Sequence, residues 1–117
     1  MVNDFKNKTI LVTGATGLIG SQLVVKLMEF DIACVIAVSR DLEKLSNCFS
    51  EYLENDRFKY QCHNVTLPLN IIGCNVDYIF HAASPQENKI IDKYPLDVIM
   101  PNILGTVNCL DYLFKQE

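Results

Sequence analysis

No stretch of lysine and arginine gathers into a stripe in this chain. Ten basic residues stand against 14 acidic ones, for a net charge of −4. A mildly acidic, solvated surface argues against nucleic-acid and anionic-membrane partners. Long apolar runs are missing as well; none approaches the roughly 20 residues that a membrane-spanning helix needs. The opening segment, residues 1–8, is polar, which predicts no secretory leader. Five cysteines (34, 48, 62, 74, 109) contain no C-x-x-C pair, and their number is odd. That pattern predicts free, mostly buried thiols in a reducing, cytoplasmic setting, where the sequons at Asn7 and Asn64 carry no meaning. His63 and His81 fall beside no ligand-spaced set of cysteines or carboxylates, which argues against a metal site. Repeats and low-complexity segments are also lacking.

What is present is an ordinary globular balance, 50% hydrophobic and 21% charged over 117 residues, enough for one domain spanning 1–117. Residues 8–13 form a β-branched apolar run without alternation, as in a parallel strand buried on both faces. Ile19, Leu23, Leu27 and Phe30 then recur at helical spacing and predict a helix over 18–30 with that face inward. Residues 35–39 are a second buried strand. Asp41 is placed to cap a helix carrying Leu42, Leu45, Phe49 and Leu53 on one side. Phe58, Tyr60 and Cys62 alternate with polar residues, predicting a third strand near the sheet edge. Residues 64–75 read as a loop, Val76 to Ala83 as a fourth strand, and 84–95 as a second loop between Pro85 and Pro95. Ile99, Ile103, Val107, Leu110 and Phe114 mark a final helix, which Pro101 should kink or delay by removing an amide donor. The order β-α-β-α-β-loop-β-α implies an α/β fold with a parallel sheet.

The sharpest motif is Thr13-Gly14-Ala15-Thr16-Gly17-Leu18-Ile19-Gly20, set between the first strand and the first helix. Gly14 permits a tight turn. Gly17 lets the main chain approach a pyrophosphate with no Cβ in the way, and Gly20 lets helix and strand pack closely. Thr16, Leu18 and Ile19 lie between them at the helix start, where free amides and a partial positive charge favour a diphosphate. Glycines in this position, rather than glycines alone, point to a dinucleotide.

The G-x-x-G-x-x-G spacing resembles that of the short-chain dehydrogenase/reductase family. Phe80-His81-Ala82-Ala83-Ser84 is similar to the H-x-A-A strand ending of its extended members, and Pro101 to Asn108 to their N-x-x-G-T-x-N helix signature. Ser84-Pro85 and Tyr94-Pro95 are most similar to elements of the sugar-nucleotide group. The resemblance implies a Rossmann-type doubly wound sheet of order 3-2-1-4, ending after the fourth strand and its helix. It also implies an NAD(P)-dependent nucleotide-sugar epimerase, dehydratase or decarboxylase as the full-length parent. NAD-specific members place an acidic residue after the second strand. Ser39 and Arg40 stand there instead, so NADP is the first choice and NAD the second, with the guanidinium gripping a 2′-phosphate. Asn64 and Val65 match the adenine contact, where the family has Asp plus an apolar residue. Ala82, Ala83 and Ser84 match the nicotinamide side, and Asn102 the helix asparagine.

His81 reads more simply as a satisfied structural group. The family's Tyr-x-x-x-Lys pair is absent: four residues after Tyr52, Tyr60, Tyr78, Tyr94 and Tyr112 stand Asp56, Asn64, Ala82, Val98 and Gln116. No catalytic residue is therefore assigned, and the chain is expected to be an inactive, truncated cofactor-binding part of a longer enzyme. The other readings are a stand-alone NAD(P)-binding sensor and a structural module without catalysis. A bare fourth strand and the apolar stripe of the last helix predict a homodimer or higher oligomer.

Overall fold

The computed structural model describes residues 5–71, 74–83 and 95–116. Strand β1 (Thr9–Thr13) leads into helix α1 (Leu18–Met28), and strand β2 (Cys34–Ser39) into helix α2 (Leu42–Cys48) and a single 3-10 turn at Ser50–Tyr52. Strand β3 (Phe58–Cys62), strand β4 (Tyr78–His81) and helix α3 (Pro95–Lys115) follow. The four strands are parallel and lie in the order β3-β2-β1-β4, as the family resemblance implies. The chain thus builds outward from β1 to β3, then returns to pair β4 with the opposite side of β1. That reversal is the topological switch point, where such sheets open a crevice beyond the strand carboxyl ends.

The continuous apolar runs exist because β1 and β2 are covered on both faces. Ile10, Val12, Val35 and Ala37 pack with Val24, Leu27 and Met28 of α1 and with Leu45, Phe49 and Phe58. Leu11, Cys34, Ile36 and Val38 face the other way, onto Val76, with Tyr112 and Leu113 of α3 closing that side. Half-buried Arg57 locks the end of α1 by donating from Nη1 to the Phe30 carbonyl at 2.9 Å and from Nη2 to that of Met28 at 3.1 Å.

Several expectations from spacing need correction. The inward face of α1 is Gly20, Val24, Leu27 and Met28; Ile19, expected inside, is exposed at the mouth of the crevice. Leu45 is the buried residue of α2, and Phe49, just past its end at Cys48, is buried too, while Leu42 and Leu53 lie at the surface. Asp41 does cap α2, accepting the Lys44 amide at 3.1 Å. The fourth strand is shorter than Val76 to Ala83. Helix α3 starts at Pro95 and runs through Pro101, which lies inside it, without being delayed: the proline removes one amide donor and the helix continues past it. The thiols are not mostly buried: Cys34 and Cys109 are, Cys48 and Cys62 are exposed, and Cys74 is intermediate.

The outer side of β4 is not bare at its start. Asp77 donates to the Thr9 carbonyl of β1 at 2.8 Å, so the pleat turns the Val76 amide outward, where Gln116 Oε1 accepts it at 2.8 Å and Gln116 Nε2 donates to the Val76 carbonyl. The 84–94 part of the second loop lies outside the described residues. Among those described, no helix is long and apolar enough to cross a membrane.

Candidate functional site

The glycine-rich turn bridges β1 and α1 at the switch point. Gly14 adopts a φ of +61°, and a Cβ there would fall 2.6 Å from the Ala83 backbone, so the turn needs glycine twice over. Gly20 sits so close beneath the turn that a Cβ would lie 2.1 Å from the Gly14 carbonyl oxygen. Gly17 differs: its Cβ position meets only that same oxygen, at 3.3 Å. It is the N-cap of α1, with no side-chain cap and no acidic residue in the first turn. The first-turn amides of a helix have no intrahelical acceptors, so here they face the crevice with the positive end of the helix dipole.

A cleft forms around this turn, lined by Gly14, Thr16 to Gly20, Val38, Ser39 and Arg40, together with His63, Val65, Ala82 and Ala83. The Ser39 hydroxyl lies 3.0 Å from Thr16 Oγ1 and accepts the Asp41 amide at 3.3 Å, tying the end of β2 to the glycine turn. The Asp41 carboxylate, the acidic group nearest the end of β2, is engaged as the cap of α2. That leaves exposed Arg40 as the charged side chain lining this end of the cleft.

Most of the sequence-predicted site residues therefore converge: Gly14, Thr16, Gly17, Leu18, Ile19, Gly20, Ser39, Arg40, Val65, Ala82 and Ala83 all line one cleft. Three do not. Asn64 turns its Oδ1 to its own turn, accepting the Thr66 amide at 3.0 Å and the Thr66 hydroxyl at 2.8 Å, and so is not placed to receive an adenine amino group. Asn102 lies on α3 in an adjoining hollow shared with Ile19, Leu23, Phe80, His81, Ala82 and Ala83. Ser84 lies outside the described residues. Sequence reasoning missed Val38 and His63. The signal for His63 was the strand phase: its amide donates to the Ser39 carbonyl at 2.8 Å, which keeps it in register with the end of β2.

Behind the cleft floor, fully buried Thr13 accepts the Ala83 amide at 3.3 Å and lies 2.7 Å from His81 Nδ1. Burial holds His81 below its ordinary value of 6.5 and pushes the neighbouring Cys109 thiol up to about 11. Contrary to the reading of His81 as fully satisfied, its buried Nε2 has no partner among the described residues. Among the described residues, no group of three or more His, Cys, Asp or Glu is arranged to hold a metal ion.

A family profile described as polysaccharide biosynthesis protein matches residues 10–117. Among curated relatives, UDP-glucuronic acid decarboxylase 6 of Arabidopsis thaliana is 38% identical over 105 residues, covering 89% of this chain and 29% of that protein. UDP-glucose 4-epimerase of Rickettsia canadensis (strain McKiel) is 31% identical over 119 residues, covering 97% of this chain and 35% of that protein. The chain thus spans about a third of the length of these relatives. Among solved structures, the Bordetella bronchiseptica enzyme WbmF in complex with NAD+ and UDP superposes with a TM-score of 0.76 at 22% identity, over 97% of this chain and 34% of that one. Pen from Bacillus thuringiensis gives a TM-score of 0.78 at 22% identity, over 92% of this chain and 34% of that one.

Proposed function

The chain belongs to the polysaccharide biosynthesis protein family of extended short-chain dehydrogenase/reductases, and from that membership we propose that it is the dinucleotide-binding portion of a nucleotide-sugar-modifying enzyme, without turnover of its own as these 117 residues. The observation that carries the reading is the uncapped N-terminus of α1 facing a glycine turn at the switch point. A Cβ on Gly17 would project where a diphosphate approaches, and within the protein it would meet only the Gly14 carbonyl oxygen, at 3.3 Å. The residues present fit a nicotinamide dinucleotide: the α1 amides for the diphosphate, Ser39 and Arg40 for the adenosine ribose, Val65 and His63 beside the adenine, and Ala82 and Ala83 toward the nicotinamide. When bound, that group would accept hydride from the sugar carbon that bears a hydroxyl. This chain's residues orient it, and the proton-accepting Tyr-x-x-x-Lys pair is not among them.

NADP is the preferred form. Arg40 offers a 2′-phosphate a bidentate guanidinium, while the Asp41 carboxylate is turned to the start of α2, where its Oδ1 accepts the Lys44 amide. The WbmF structures bind NAD+ and NADH, so the two forms must be compared directly. Calorimetric titration of the protein with each, beside Arg40→Ala, is the test. Tighter binding of NADP(H), lost at least about tenfold in the variant while NAD(H) affinity holds, is expected from losing a bidentate charged contact. Preference for NAD(H) by the parent protein removes the NADP assignment, and no binding of either removes the dinucleotide reading.

A further inference from the structure

His81, the last residue of β4, joins features that the cleft alone does not explain. Its Nδ1 pairs with the Thr13 hydroxyl, which also receives the Ala83 amide, so the ring is linked through one buried oxygen to the Ala82–Ala83 edge of the cleft. Over the ring lies Gly105 of α3: a Cβ there would come within 2.7 Å of His81 Cε1 and 2.8 Å of Nε2. The imidazole therefore fills the space that a side chain at position 105 would need, and α3 seats on β4 through this ring. One turn on, Cys109 Sγ lies 3.8 Å from Nδ1. Thr13 faces the ring from β1, and Gly105 and Cys109 face it from α3. Val65 lies beside the same contact, 3.1 Å from the Gly105 Cβ position. The only titratable group in this set is the Cys109 thiol, which stays neutral; no carboxylate in it offsets a positive ring.

We propose that His81 is a positioning residue that seats α3 on β4 and holds the Ala82–Ala83 edge of the cleft only while its ring is neutral, so that protonation unseats α3. The effect on the cleft rests on the dinucleotide reading; the effect on α3 does not. An imidazolium donates from both nitrogens, and among the described residues buried Nε2 has no acceptor to receive its proton. Because burial lowers the His81 value below 6.5, the unfolded or unseated chain takes up a proton that the seated ring refuses. The stabilisation is complete above the ordinary histidine value and is lost as the pH falls below it.

The protein carries its own reporters. Cys109 is buried under the ring, Cys34 is buried in β2, and Cys48 and Cys62 are exposed. Pulse labelling with 4,4′-dithiodipyridine, read site by site by mass spectrometry, gives the reactivity of Cys109 relative to Cys48 and Cys62 at each pH. Between about pH 7.5 and about pH 5, relative Cys109 labelling should rise about tenfold while Cys34 stays protected. His81→Asn, which keeps a polar atom toward Thr13 but does not titrate, should flatten that profile. Gly105→Ala should expose Cys109 at neutral pH, and the same substitution in the His81→Asn background, where the opposing ring atoms are gone, should restore protection. A Cys109 that stays protected in acid overturns the proposal. So does Cys34 opening in step with it, which marks global unfolding, or an unchanged profile in His81→Asn. NADP(H) affinity, followed over the same range, should fall with the same midpoint. Affinity independent of pH beside the expected Cys109 profile overturns the link to the cleft. Absence of binding at any pH beside that profile overturns the dinucleotide reading and leaves the seating of α3 standing.

Discussion

A Cβ built on Gly14 or Gly20 collides with backbone, whereas one on Gly17 finds open space beyond a single 3.3 Å contact. The three glycines of the turn therefore answer to different demands. Gly14 and Gly20 belong to the fold: the first because of its positive φ and the Ala83 backbone, the second because the turn rests directly on it. On the proposed dinucleotide reading, Gly17 belongs to the ligand. Gly17→Val should keep the circular dichroism spectrum and lose dinucleotide affinity by more than about tenfold, since the added methyls occupy the diphosphate's approach. Gly14→Ala should instead lower the melting temperature whether or not ligand is present. Unchanged calorimetric binding in Gly17→Val would remove the phosphate from the turn.

Helix α1 meets opposite conditions at its two ends. Its N-terminus has no cap, while the Met28 and Phe30 carbonyls at and just beyond its C-terminus are gripped by one guanidinium, that of Arg57. Closing one end leaves the helix dipole to act at the other, toward the cleft. Arg57→Gln keeps some polarity but not the planar fork, and should cost about 1–3 kcal/mol, the range for hydrogen bonds to a charged donor. Urea unfolding monitored by circular dichroism checks this; a midpoint equal to that of the parent would mean that water serves these carbonyls equally well. Helix α3 carries two apolar stripes. Gly105, Cys109, Tyr112 and Leu113 turn toward the sheet, while Ile103, Val107, Leu110 and Phe114 recur at spacings of four, three and four on the solvent side.

For the whole molecule, that outer stripe is the surface most in need of cover. Phe114 is 81% exposed and Ile103 53%, beyond what isolated surface apolar residues require. A second copy laid along α3 would bury the outer stripe of each copy symmetrically, the arrangement a two-fold axis favours. Light scattering after size exclusion at micromolar concentration should give a dimer, and Leu110→Lys with Phe114→Lys should give a monomer that keeps the parent's circular dichroism spectrum. A parent protein that elutes as a clean monomer would leave the stripe to another occupant.

Most of the architecture was legible in the sequence because it rests on local signals. Unalternating apolar runs give strands covered on both faces, glycines at fixed spacing give the turn, and an aspartate before a periodic segment gives the cap. Strand order and the convergence of eleven assigned positions on one cleft followed from these through the family resemblance. Spacing fixes a helix's period but not its rotation about its own axis, so Ile19 and Leu42 were placed inside and lie outside. Strand phase at an edge is equally unanchored, which is why His63 lines the cleft and Asn64 closes its own turn. The contact between His81 and Gly105, 24 positions apart, was invisible for a stronger reason: a glycine in a helix signals a missing side chain without saying what fills its place. Only the pairing of β4 with β1, and the seating of α3 across that pair, put an imidazole there.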